Sequence, residues 1–333
     1  MCNRRAARLG AARLGAARLG AALLGAALIV LGLSPAAQAA DKLKAVASFS
    51  ILGDMVRQLG GDRVEVVTLV GPNGDAHVFS PTPADARTLA SADVFFVNGL
   101  GFEGWIERLE KSSGFKGTAV VASKGVSPLA MEGGHHDRHG GHVGDERERV
   151  HDDHSGAEKT DPHAWQSLAN GEIYVANIRD GLIADDPQGR SAYEANAAKY
   201  LAALRDEDKA AKAAIAALPR AHRRIITSHD AFGYFAPAYG LEVIAPEGVS
   251  TESEASAQDV ARIIRQIRKE KIPAVFLENV TDPRLLDQIA KETDAEIGGT
   301  LYSDALSDKD GPAPTYLDMF RHNIGTLTAA LSS

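Results

Sequence analysis

Residues 187–218 read PQGRSAYEANAAKYLAALRDEDKAAKAAIAAL, and the nature of this stretch decides the fold. It is rich in Ala, Leu, Lys and Glu, Pro187 stands near its start, Pro219 lies just beyond its end, and no glycine interrupts it after Gly189. A continuous helix of about 30 residues would be ~45 Å long at 1.5 Å per residue, more than a typical domain helix. Such a rod reads as a strut, so the chain on either side must supply the bodies that it joins.

Both flanks alternate strand and helix. Before the strut, Lys44–Ser50 reads as a strand, Ile51–Leu59 has helical spacing and stops at Gly60-Gly61, and Arg63–Val70 is a second strand ended by Gly71-Pro72-Asn73-Gly74. Thr82–Ala90 then reads as a helix and Asp93–Asn98 as a buried strand. After the strut come strands at Arg224–Thr227 and Leu241–Ile244, an amphipathic helix at Ala257–Glu270 and a strand at Ala274–Leu277. This alternation predicts an α/β protein with mainly parallel sheets. The expected architecture is two (β/α) lobes, 41–186 and 219–333, joined by one long rigid helix over 187–218.

The chain's first forty residues differ in kind. Arg4, Arg5, Arg8, Arg13 and Arg18 precede an apolar run, Ala21 to Leu33, too short to span a bilayer, and Ala37-Gln38-Ala39-Ala40 resembles a cleavage site. Residues 1–40 are therefore expected to be a secretory signal peptide directing the protein to the periplasm. The AARLG repeat at 6–10, 11–15 and 16–20 belongs to that leader. Cys2, the only cysteine, precedes the apolar run, which argues against a lipid anchor, and the mature chain could form no disulfide. Removal of the five arginines would leave 31 basic against 44 acidic residues, a formal charge of −13, which disfavours nucleic acid as a partner.

Six of the 11 histidines crowd into one segment: His135, His136, His139, His142, His151 and His154. Residues 123–160 have glycines and mixed charges without apolar period, which predicts a mobile surface loop. Nothing there fixes four imidazoles around one ion, so these six are weak accessory metal ligands at most.

Four other residues stand in better positions. His77 lies in a strand-to-helix connection, His163 just before a helical run that starts near Gln166, His229 directly after the strand RIIT, and Asp304 after the apolar pattern Ile297–Leu301. In α/β folds ligands bind beyond the carboxyl ends of strands, and three of the four occupy such places. Each also has a plain reading: Asp304 as a helix N-cap, His77 and His163 as exposed loop residues, His229 with Asp230 as a base and its orienting acid. His222 and His322, in helical and charge-rich contexts, read as structural.

The motifs GDAHVFSPTP (74–83), NGLGFEGW (98–105), DPHAW (161–165), TSHDAFGYF (227–235), GVSTESEASAQD (248–259), VFLENVTDP (275–283), LYSDALS (301–307) and PTYLDMFRHN (314–323) occur in order across nearly the whole mature chain. In this it resembles the zinc/manganese class of solute-binding proteins that serve ABC transporters. The resemblance implies a metal site in the cleft between the lobes, with His77 and His163 from the first and His229 and Asp304 from the second. Three imidazoles and one carboxylate suit Zn2+, with Mn2+ second, since manganese-preferring relatives tend to carry a carboxylate where His229 stands. It also implies an inner-membrane permease as partner, a periplasmic metallochaperone as a further candidate, and a monomer. Some zinc members carry a disulfide in the second lobe, which this chain cannot form.

An enzyme is the competing class: a zinc hydrolase with Asp230, Glu278 or Glu103 as general base. Four protein ligands would close the shell, whereas a catalytic zinc keeps a position for water, so a non-catalytic binding protein is the expectation. A zinc-storage or chaperone protein relying on the histidine segment is the third.

Overall fold

Strand and helix alternate to build two four-stranded sheets. The structure, a computed structural model, describes residues 41–130, 160–252 and 255–332. The expected signal peptide and the six crowded histidines lie outside the described residues. In the first lobe β1 (Leu43–Phe49), α1 (Ser50–Gly60), β2 (Val64–Val70), α2 (Pro83–Ala90), β3 (Val94–Val97), α3 (Ile106–Ser113) and β4 (Thr118–Val121) follow in order. Then come α4 (Leu168–Asp185), α5 (Arg190–Ala216), β5 (Arg224–Ile226), α6 (Phe235–Tyr239), β6 (Glu242–Ile244), α7 (Ala257–Glu270), β7 (Ala274–Glu278), α8 (Arg284–Lys291), β8 (Glu296–Leu301) and α9 (Tyr316–Leu331).

The sheets have the orders β2-β1-β3-β4 and β6-β5-β7-β8, so the second repeats the topology of the first. All strand pairs are parallel, as crossovers through helices require. Helices cover β3, and its four residues VFFV are accordingly all buried. Local signals set the helix starts. Thr82 accepts from the Ala84 and Asp85 N–H groups while Asp85 accepts from the Thr82 N–H, a capping box ahead of α2 with Pro83 at the first helical position.

The strut is slightly shorter than expected. Pro187–Gly189 form a 3-10 turn, because the Asp186 carboxylate caps Gly189 N–H and also takes Arg63 and the Tyr193 hydroxyl. The helix proper spans 27 residues, ~40 Å, and its last carbonyl, Ala216 O, together with Leu218 O, is met by the Arg223 guanidinium. Its buried residues Tyr193, Ala197, Tyr200, Leu204, Ala211 and Ile215 fall at helical spacing on one stripe. That stripe is needed because α5 does not stand free: it packs on α4 and α1 of the first lobe and on α6 and α9 of the second.

One apolar core therefore runs from the first sheet through Trp165 and α5 to Phe235, Tyr316 and Phe320. A smaller core, with Ile226, Ile263, Ile267, Val275 and Leu286, seats α7 and α8 on the second sheet. The seam between the lobes is hydrogen-bonded shut, with Leu306 N–H donating to Ser50 Oγ at 2.9 Å and Tyr316 N–H to Asp54 Oδ2 at 2.9 Å. Among the described residues no helix is long and apolar enough to cross a membrane.

Candidate metal centre

Four loops meet at this seam. His77 comes from the connection between β2 and α2, His163 from the segment leading into α4, His229 from the turn after β5 and Asp304 from the turn after β8. His77 Nε2 lies 3.3 Å from His163 Nε2 and 3.3 Å from Asp304 Oδ2. His163 Nε2 is 3.6 Å from Asp304 Oδ1, and His229 Nε2 is 3.1 Å from Asp304 Oδ2. One donor atom from each residue falls within 4.8 Å of all the others. His163, His229 and Asp304 have no solvent exposure and His77 only 8%. Asp304 Oδ1 is buried and has no hydrogen-bond partner among the described residues, its nearest cationic neighbour being His163 Nε2 at 3.6 Å.

Carboxylates stand behind two of the imidazoles. Asp161 Oδ1 is 2.7 Å from His163 Nδ1, and Glu278 Oε2 is 2.8 Å from His229 Nδ1, close enough for an ion pair though not aligned as a hydrogen bond. A carboxylate can only accept, so both rings are held with Nδ1 protonated and Nε2 turned into the cluster, where it can bind an ion once its own proton is given up. Burial alone would lower His163, but Asp304 and Asp161 outweigh it and raise it to about 9. His229 is likewise pushed down by burial and raised well above its usual value by Glu278 and Asp304. Burial would raise Asp304, yet the two imidazoles hold it well below the ordinary carboxylate range.

The ligand loops are themselves fixed by short-range chemistry. Asp75 and Asp161 each stand two residues before a histidine and accept its backbone N–H at 2.9 Å, the same Asx-type turn twice. Both tryptophans hold the residue preceding a cluster member: Trp105 Nε1 donates to Ala76 O at 2.8 Å and Trp165 Nε1 to Ser303 O at 3.0 Å. Phe102 packs edge-on against His77, with ring centroids 4.7 Å apart. Gly233 is required by proximity, since a Cβ there would lie 2.2 Å from Asp161 Oδ2.

The remaining candidates are occupied otherwise. Glu103 is buried, accepts from the Ser48 hydroxyl and the Asn98 and Gly99 N–H groups, and is pushed up to about 7 by burial against those bonds. It clamps the loop bearing Phe102. Glu278 orients His229 and accepts the Ser228 and His229 N–H groups, and exposed Asp230 gives its N–H to Gly248 O. His222 and His322 bond the carbonyls of Leu331 and Thr300, and neither joins the cluster. Asp75, Trp105, Asp161, Trp165 and Gly233 lie within the ordered motifs, but apart from the doubled D-x-H pattern nothing in the sequence marks their supporting roles.

A family model described as zinc-uptake complex component A, periplasmic, matches residues 45–330. The chain is 31% identical over 297 residues to the manganese-binding lipoprotein MntA of Halalkalibacterium halodurans, covering 89% of this chain and 91% of that one. It is 32% identical over 291 residues to the iron-binding protein YfeA of Yersinia pestis, covering 87% of each. Among solved structures, the periplasmic zinc binding protein TroA of Treponema pallidum matches with a TM-score of 0.77 at 29% identity, over 88% of this chain and all of that one.

Proposed function

We propose that this chain, which belongs to the zinc-uptake component A family of metal-binding solute-binding proteins of ABC transporters, carries zinc as its cargo on His77, His163, His229 and Asp304. As a transporter component it hands its metal to a membrane permease and is not an enzyme. One observation carries the zinc assignment: three imidazoles and one carboxylate each turn a donor atom into one buried cluster, all within 4.8 Å of one another, with His77 Nε2 3.3 Å from His163 Nε2 and from Asp304 Oδ2 and His229 Nε2 3.1 Å from Asp304 Oδ2. Four ligands about 2.0–2.1 Å from a tetrahedral zinc would be separated by about 3.3 Å. Three imidazoles also favour zinc over manganese or ferrous iron in the usual affinity order. Four protein donors would leave no position for a hydrolytic water.

A manganese reading has its own support. Two of the relatives above are named for manganese and iron, and Asp304 Oδ1 is free to add a further oxygen ligand. Calorimetric titration of the mature protein with Zn2+ and Mn2+, together with the visible spectrum of the Co2+ form, separates the two. Tight one-to-one zinc and an intense, four-coordinate cobalt spectrum are expected. Tighter manganese with a weak, six-coordinate spectrum would overturn the zinc assignment, and an unchanged zinc affinity in His229→Ala would overturn the ligand set.

The leader would be cleaved near residue 40 and the mature monomer would work in the periplasm. The histidine-rich segment would capture zinc, or receive it from a metallochaperone, while adding little to affinity at the main site.

A further inference from the structure

The GVSTESEASAQD stretch has no part in the ligand cluster, yet one of its side chains crosses to the opposite lobe. Thr251 Oγ1 donates to Asp75 Oδ2 at 2.6 Å, while Asp75 Oδ1 accepts the N–H of His77 at 2.9 Å. The segment before Thr251 is in turn fastened beside His229: Asp230 N–H donates to Gly248 O at 3.1 Å and Glu247 N–H to Ser228 O at 3.3 Å. A run of hydrogen bonds and backbone thus joins the His229 turn to the His77 turn across the seam without passing through the ion.

His77 is also the ligand nearest water, its side chain 5% exposed where those of His163, His229 and Asp304 are fully enclosed. Among the four, that ring is where the cluster meets solvent. The loop that carries it, GPNGDAH at 71–77, has a single apolar anchor, Ala76, and is otherwise held by polar bonds. At its near end Asn73, at φ 54°, donates its N–H to Leu306 O at 2.9 Å. At the histidine end the tie to the second lobe is Asp75 to Thr251.

We propose that Thr251 is a positioning residue whose bond to Asp75 latches the His77 loop across the lobes and sets the rate at which the ion leaves. The inference rests on the four-residue site proposed above. Both latch partners are half-buried, so water can replace the lost hydroxyl and the fold survives its removal; the ties from Asn73 to Leu306, Asp308 and Asn279 remain, and only the tie at the histidine end of the loop is lost.

The test measures zinc release from the mature protein into an excess of chromogenic chelator for wild type, Thr251→Val and Thr251→Ser, with the metal-free melting temperature and the Co2+ spectrum of each. The valine variant should release zinc about tenfold faster, the serine variant at the wild-type rate, with spectrum and metal-free melting unchanged. Equal release from Thr251→Val and wild type would overturn the latch. So would faster release that serine does not restore and that accompanies a lower metal-free melting temperature, the signs of a merely structural residue. Wild type without tight zinc would instead overturn the cargo assignment, and the latch is then judged on the same comparison with manganese.

Discussion

Replacing Glu278 by Gln changes one atom and should invert the chemistry of His229. The carboxylate uses Oε1 to accept the N–H groups of Ser228 and His229, at 2.8 and 2.9 Å, and presents Oε2 to His229 Nδ1 at 2.8 Å. A glutamine must keep its oxygen toward the two backbone donors, since turning it would set its amide protons against both. Its NH2 then faces Nδ1, which must accept, and the ring proton moves to Nε2, the nitrogen the metal needs. Loss of an outer partner of this kind costs about 10–100-fold in metal affinity, or about 1.4–2.7 kcal/mol. The pH dependence should soften as well. Without the Glu278 charge, less opposes the burial that lowers His229, so protons compete less with the ion at neutral pH. Competition against a chelator of known affinity at pH 6, 7 and 8 reads both effects, with the largest deficit at pH 8. An affinity within about twofold of wild type at pH 8 would refute the tautomer reasoning.

Other outcomes follow from the same geometry. Gly233→Ala should weaken zinc binding about tenfold or more, because its Cβ would fall 2.2 Å from Asp161 Oδ2 and displace the acid behind His163; chelator competition measures it, and wild-type affinity would count against that role. The metal-free protein should lose stability as pH rises: His163 is raised from 6.5 to about 9, so its contribution is complete below about 6.5 and disappears through about 9. The increase in melting temperature on saturating zinc should grow over that window, since the ion takes the proton's place, and a shrinking increase would contradict this. Deleting 132–159 should leave one tight zinc per molecule by calorimetry and remove any weaker ions, whereas loss of the tight one would give the segment real ligands.

Much of the fold could be read from period and punctuation. Ala257–Glu270 is a helix over the expected residues because its isoleucines repeat at helical spacing and Ser256 caps it. The helix at 187–218 was long enough to see, but its first turn was not: Asp186 claims Gly189 N–H through its side chain, a tertiary detail shared with Arg63 from a distant turn. Nor could α5's packing on helices of both lobes be inferred from its own composition. The four cluster residues drew notice because strand ends and ordered motifs singled them out. The supporting roles were not legible, because they lie in pairs far apart in sequence: Glu278, a candidate general base by sequence, instead reaches His229 across 49 residues, and Thr251 reaches Asp75 across 176. Gly233 is legible only once Asp161 is known to lie against it.

The two tryptophans have a practical consequence. The chain contains only Trp105 and Trp165, both buried, each tied by its indole N–H to the carbonyl just before His77 or Asp304. The Trp165 ring centre is also 5.3 Å from that of His163. An excited indole responds to the charge beside it and to the strength of its own hydrogen bond, so the molecule carries a dye-free optical gauge of its cargo. Intrinsic emission should therefore change on loading, and Trp165→Phe and Trp105→Phe would divide the signal between the Asp304 and His77 sides of the ion.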